Sequence, residues 1–229
     1  MQNSEKFCCF SLVLLALLIA GGCGSRDGTT PPPASISGSG AEQAGSPAGS
    51  SAAEKPEPDK LHPVAVIHTT LGDITVRLDA EHAPISVDNF LTYADKGHYD
   101  NTLVHQVLTK PAVILGGGFD TFQKEKPAGP PIRNEAHNGL KNVRGTIGMS
   151  RSPDSIDSST SQFYINSADN PQFDHRSSDL EGYGYCVFGE VTAGMDVVDR
   201  IASAATRDTE HLKDTPVEQV IVKWIHLGK

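Results

Sequence analysis

Tyr99–Phe119, YDNTLVHQVLTKPAVILGGGF, is the stretch that decides how the chain is read. Its first half alternates, with Leu103, His105 and Val107 set against Val104, Gln106 and Leu108. That is the period of a strand with one buried face. Its second half runs apolar from Pro111 to Leu115 and passes into Gly116, Gly117 and Gly118. Three glycines after a strand let the backbone bend or approach a neighbour closely. No Lys-Ser or Lys-Thr follows them, so they do not form a phosphate loop.

Upstream, the runs Val64–His68 and Ile74–Leu78 are rich in β-branched residues, and Thr69–Asp73 between them has the chemistry of a hairpin turn. Pro84 then opens a helix with Val87, Phe90, Leu91 and Ala94 at helical spacing and Gly97 as its stop. Strands are expected at Thr102–Leu108, Val113–Leu115, Thr146–Met149, Gln162–Ile165, Tyr185–Val191 and Val220–Ile225. A second helix, about Gly194 to Ser203, carries Met195, Val198, Ile201 and Ala202 on one face, a core-packing stripe. The polar connection from Ala168 to Gly184 has to cross the surface, where binding loops usually lie. Eight strands, two helices and no βαβ rhythm predict a mainly β fold, a closed eight-stranded antiparallel barrel capped by two helices.

The N-terminus has a different character. A lysine-bearing start is followed by an apolar run from Phe7 to Ala20 and then Gly21-Gly22-Cys23. A membrane-spanning helix needs roughly 20 apolar residues, and this run is shorter, so residues 1–23 are expected to be a secretory signal. Small residues before a cysteine are similar to a bacterial lipobox, with Cys23 as the lipidated residue, although Ala20 stands where leucine is usual; plain secretion is the alternative. Residues 24–60 are Gly, Ser, Pro, Ala and charges with Ile36 as the only large aliphatic. Such a segment buries too little apolar surface to offset the entropy of ordering it and reads as a disordered tether. Residues 62–229 form one domain of ordinary size.

That domain carries 15 basic and 22 acidic residues and no basic cluster, which argues against a nucleic-acid partner. Cys186 is its only cysteine, so it holds no internal disulfide, and its place in a strand-like run makes it a buried structural thiol. The chain's nine histidines are scattered, without His-x-His or His-Glu-x-x-His spacing, so no metal or other cofactor is expected. No Gly-x-Ser-x-Gly elbow marks a hydrolase, and Gly182-Tyr183-Gly184 lacks the third glycine of a dinucleotide fingerprint and reads as a turn.

Several runs together resemble the cyclophilin-type peptidyl-prolyl isomerases, the bacterial branch most. They are Ala83 to Phe90, Asn101 to Val107, Gly116 to Phe119, Ile132 to Gly145 (IRNEAHNGLKNVRG), Ser161 to Asn166 (SQFYIN), Gly182 to Gly189 (GYGYCVFG) and Gly194 to Asp199. The likeness spans nearly the whole domain in order and implies the same barrel.

Family members carry Phe-His-Arg-Val-Ile and then Gly-Phe-Met-x-Gln-Gly-Gly; here the two halves read Val104-His105-Gln106-Val107-Leu108 and Pro111 to Gly117, with one extra residue between them. Carried over position by position, Gln106 stands where the catalytic arginine would be, beside His105. Ala112 replaces the pocket phenylalanine, Val113 the methionine and Leu115 the glutamine. Gln172 takes the place of a tryptophan or phenylalanine, and Phe173 follows it. Ser150, Gln162, Tyr164 and Tyr185 complete the implied substrate-binding set. Two cations could take the place of the arginine: Lys110, in the inserted residues, and Arg151, beside Ser150.

The chemistry at stake is rotation about an X-Pro bond, whose barrier of about 18–20 kcal/mol comes from amide resonance. As the bond twists, the proline nitrogen regains its lone pair and accepts a hydrogen bond, which a fixed cation stabilises. Two readings follow. One is an isomerase acting on X-Pro bonds of exported proteins, weakened by its altered motif. The other is a non-catalytic module that binds proline-containing peptides. Either is expected in the cell envelope, held to a membrane through Cys23 and acting as a monomer.

Overall fold

A computed structural model describes residues 59–228. The expected signal, Cys23 and nearly all of the expected tether lie outside them. Among the described residues no helix is long and apolar enough to cross a membrane.

The chain runs β1 (Val64–Thr69), β2 (Gly72–Leu78), α1 (Pro84–Asp95), β3 (Thr102–Thr109), β4 (Ala112–Asp120), β5 (Thr146–Met149), β6 (Phe163–Asn166), β7 (Val187–Ala193), α2 (Met195–Ala202), β8 (Thr206–Arg207), β9 (Thr215–Pro216) and β10 (Ile221–Leu227). Eight strands close a barrel in the order β1-β10-β3-β4-β6-β5-β7-β2, every neighbour antiparallel, while β8 and β9 pair separately. Closure gives every barrel strand a neighbour on both sides, with β3 and β10 meeting over two residue pairs.

The two-residue period explains the layering. Val107 faces Ile114, Ile114 faces Ile165 and Ile165 faces Ile147, and all four are buried in the core. Burying such side chains stabilises the fold by about 1.5–3 kcal/mol each. The alternate residues, Gln106, Leu115, Tyr164 and Gly148, form a second row across the same strands and point to the other face. The barrel interior is filled, leaving a space of about 10 Å³ lined by Ile67, Val104, Ile165 and Ile201 among others.

Both helices pack on this core. Phe90 of α1 is fully buried, with its ring centroid 5.3 Å from that of Tyr99 and 5.4 Å from that of Phe188. The first turn of α1 is closed by a distant carboxylate. Glu135 accepts hydrogen bonds from the Ile85 and Ser86 amides at 3.1 and 2.8 Å and from Ser86 Oγ at 2.8 Å. This satisfies orphan donors with a negative charge at the positive end of the helix. Helix α2 buries Val197, Val198 and Ile201, and Met195 and Ala202 pack at the margin.

Two features depart from the sequence reading. Thr102, Leu103, Val104 and His105 are all buried, so β3 does not have one buried face at its start. Register shifts on either side of Val104 break the alternation: between Val104 and Gln106 the extra residue is on β3, and between Thr102 and Val104 the extra residues are on β4. The glycine triplet does not follow β4 but lies inside it. Cys186 is buried as expected, and burial pushes its thiol up to about 12, so it is chemically inert.

Candidate active site

The outward rows Gln106–Leu115–Tyr164 and Leu108–Val113–Asn166 cross β3, β4 and β6. Over them lies the 168–185 connection. It delivers Phe173 from a 3-10 turn, Pro171–Phe173, and brings Tyr185 beside it. Val113, Tyr164 and Phe173 retain 2 %, 2 % and 7 % exposure and form one apolar cluster, with Leu108, Leu115 and Tyr185 half-buried against it. The ring centroids of Phe173 and Tyr185 are 4.6 Å apart, and those of Tyr164 and Phe173 5.6 Å. The expected binding residues Val113, Leu115, Tyr164, Phe173 and Tyr185 therefore meet in one cluster.

A polar network that the sequence reading missed holds this cluster in place. Tyr164 donates its hydroxyl to Asn142 Oδ1 at 2.5 Å, and Asn142 donates from its amide to the Tyr185 carbonyl at 3.3 Å. Asn166 Nδ2 donates to Thr146 Oγ1 at 2.8 Å, and Asn170 Nδ2 donates to Asn166 Oδ1 at 2.8 Å and to the Ala112 carbonyl at 3.0 Å. The Ala112 amide returns a bond to Asn170 Oδ1 at 3.1 Å. Asn142, Asn166 and Asn170 are each 2 % exposed or less, where an unpaired amide would cost about 1–3 kcal/mol. Asn142 and Asn166 lay in quoted runs, but residues 24 apart in the chain show no periodic signal. Burial holds the Tyr164 phenol well above its usual range, so it remains a neutral donor.

The other expected residues sit around this centre. Ala112 lies at the start of β4, fixed by Asn170. Gln172 is exposed, and its amide donates to Asn170 Oδ1 at 3.0 Å instead of forming a pocket wall. The Ser150 amide donates to the Gln162 carbonyl at 3.0 Å. The Gln162 side chain lies against Gly118, where an added Cβ would come within 2.7 Å of it, so that close approach depends on glycine. His105 is not in the cluster. It is 5 % exposed, and its ring packs on Phe119 at 4.8 Å between centroids. The far edge of β3 is covered by the 208–216 segment: Val107 donates to the Asp214 carbonyl at 3.0 Å and Thr215 Oγ1 to the His105 carbonyl at 2.9 Å.

Neither Arg151 nor Lys110 stands at Gln106. Arg151 is 4 % exposed and fully engaged, donating to the carbonyls of Gly184 (2.9 Å), Ser152 (2.9 Å), Ser155 (3.3 Å) and Leu180 (3.0 Å), with its guanidinium 4.7 Å from the Tyr185 ring centroid. It staples two loops together. Lys110 is exposed at the β3–β4 turn, and four residues of extended chain separate it from Gln106, about 13 Å.

Tyr164 lies over Gly148, where a Cβ would come within 2.4 Å of the phenol. Gly148→Ala is expected to push the ring off Asn142 and destabilise the domain by about 1–3 kcal/mol. Urea unfolding of the variant and the parent measures this.

A closed barrel with an outward-facing site on β3, β4 and β6 under a long loop is the architecture of a cyclophilin-like protein. A sequence profile described as "Cyclophilin type peptidyl-prolyl cis-trans isomerase/CLD" matches residues 64–226. Peptidyl-prolyl cis-trans isomerase B of Escherichia coli is 44 % identical over 166 residues, which is 72 % of this chain and all of the relative. Peptidyl-prolyl cis-trans isomerase A of Dickeya dadantii is 41 % identical over 69 % of this chain and 80 % of its own length. Among solved structures, a cyclophilin-type isomerase of Cryptosporidium parvum, crystallised in the presence of the dipeptide Ala-Pro, shares the fold. Its TM-score is 0.58 at 24 % identity, over 72 % of this chain and 99 % of that one. The chain belongs to the cyclophilin-type peptidyl-prolyl cis-trans isomerase family.

Proposed function

We propose that the domain acts on X-Pro bonds of exported proteins as a weakened isomerase, held at a membrane surface through a lipid on Cys23 and working as a monomer. The position of Gln106 carries this reading. It heads the row that continues through Leu115 and Tyr164, beside the apolar cluster that a proline ring would touch. Its carboxamide donates a hydrogen bond but carries no charge, and a neutral bond is roughly half as strong as a charge-assisted one. Ala112 removes an aromatic wall worth about 1.5–3 kcal/mol of apolar contact. Turnover survives in kind and falls in degree.

The second reading, a binding module without turnover, draws on the close packing of Val113, Tyr164 and Phe173. Exchange spectroscopy on a short Ala-Pro peptide with the full chain separates the two. The isomerase reading expects cis–trans exchange that accelerates in proportion to protein concentration. Saturable shifts of the peptide signals without acceleration would favour the binding module. Absence of both would sink each of them.

A further inference from the structure

Antiparallel pairing of the first and last barrel strands assembles a cluster that no sequence spacing announces. His68 on β1 lies opposite Asp73 on β2 and Trp224 on β10, and His226 lies one pleat further along β10. His68 Nδ1 is 2.7 Å from Asp73 Oδ1, and His68 Nε2 is 2.9 Å from His226 Nδ1. Trp224 packs on His68 at 4.8 Å between centroids and is 47 % exposed.

The carboxylate accepts only, so it fixes the tautomer. His68 holds its proton on Nδ1 and presents the bare Nε2 lone pair toward His226. A carboxylate behind one imidazole, with the far nitrogen unprotonated, is the usual outer support of a metal-binding histidine.

We propose that His68 Nε2 and His226 Nδ1 form a two-nitrogen chelate for a divalent transition metal of the copper or nickel class. In the metal-free pair the 2.9 Å separation is a hydrogen bond between near-parallel rings, 15° apart. Two imidazoles bound at about 2.05 Å and at right angles span a similar distance, about 2.9 Å, so it is ring orientation that has to change. On binding, His226 holds its proton on Nε2 instead of Nδ1, giving up the hydrogen bond to His68, and its exposed ring turns to aim the Nδ1 lone pair at the metal. Among the described residues no three His, Cys, Asp or Glu side chains converge on one point. Water therefore completes the coordination, which suits a tetragonal metal and disfavours structural zinc with its four protein ligands. The scattered histidines of the sequence gave no hint of this, because positions 68 and 226 become neighbours only when β10 pairs with β1.

Trp224 is the only tryptophan in the chain and reports on the site directly. Copper(II) chloride added to the full-length protein is expected to quench its fluorescence with a saturable midpoint and to give a paramagnetic spectrum split by two nitrogens. His68→Gln and His226→Gln should each raise that midpoint at least about tenfold and lose the two-nitrogen splitting. Asp73→Asn should weaken binding about 10–100-fold, as loss of an outer-shell partner does. Quenching with the same midpoint in either histidine variant would overturn the proposal, as would copper bound elsewhere while Trp224 emission stays unchanged.

Discussion

Gln106→Arg is expected to raise kcat/KM on an X-Pro peptide by about 10²–10³-fold over the parent chain, the scale of one preorganised donor at a developing charge. The position already has its surroundings: Leu115 directly opposite on β4, Tyr164 beyond it on β6, and the Phe173–Tyr185 pair above. An arginine there would supply charge where the twisting imide nitrogen gains its lone pair, without rebuilding the barrel. Ala112→Phe added to it should lower KM, because its effect lies in ground-state contact with the proline ring. A single variant no faster than the parent would mean that access to the closed cluster, and not the missing cation, limits turnover.

Acid should weaken the domain by about 3 kcal/mol between pH 6.5 and pH 4, and His105 should account for it. Burial drives its pKa down to about 4, only partly opposed by the Leu103 backbone, and its Nδ1 has no partner. In the unfolded chain the same ring titrates at about 6.5. Between those values the unfolded state binds the extra proton and the native state does not, so stability falls as pH drops and levels off below about 4. Burial also lowers the pKa of the half-buried His98, which adds to the same trend. Asp199, held low by its hydrogen bond to Arg144, loses its contribution mainly below its unfolded value of 3.8, so it touches only the acid end of this window. Urea midpoints measured at pH 7, 6, 5 and 4 should drop for the parent and stay nearly level for His105→Phe, which keeps the ring contact with Phe119. Parallel curves would assign the acid sensitivity to other groups.

The barrel was legible because branched apolar residues at every second position announce each strand, and because Pro84 and Gly97 mark the first helix. Strand ends moved by one or two residues, and β4 extended through three glycines, since pairing partners and not local preference set where a strand stops. The meeting of the apolar residues of the candidate site was legible from motif positions: Val113, Leu115, Tyr164, Phe173 and Tyr185 share one cluster. Its polar frame was not. Asn142, Asn166 and Asn170 read as ordinary polar residues until the loop before β5, the end of β6 and the loop after it bury them together. The fate of Arg151 depended on two local carbonyls, Ser152 and Ser155, and two distant ones, Leu180 and Gly184. His105 resembled a site residue by sequence position, yet the bulge in β3 turns it onto Phe119.

The first strand of the barrel pairs with the last, 158 positions apart from His68 to His226. The ring therefore cannot be sealed while the chain is still emerging from whatever synthesises or translocates it. Until residue 227 is free, β1 has only one of its two neighbours and the other flank stays open to strangers. Such long-range closure is slow compared with local helix formation. A deletion that removes only the final strand should yield a chain that aggregates, not a smaller, weaker version of the same molecule.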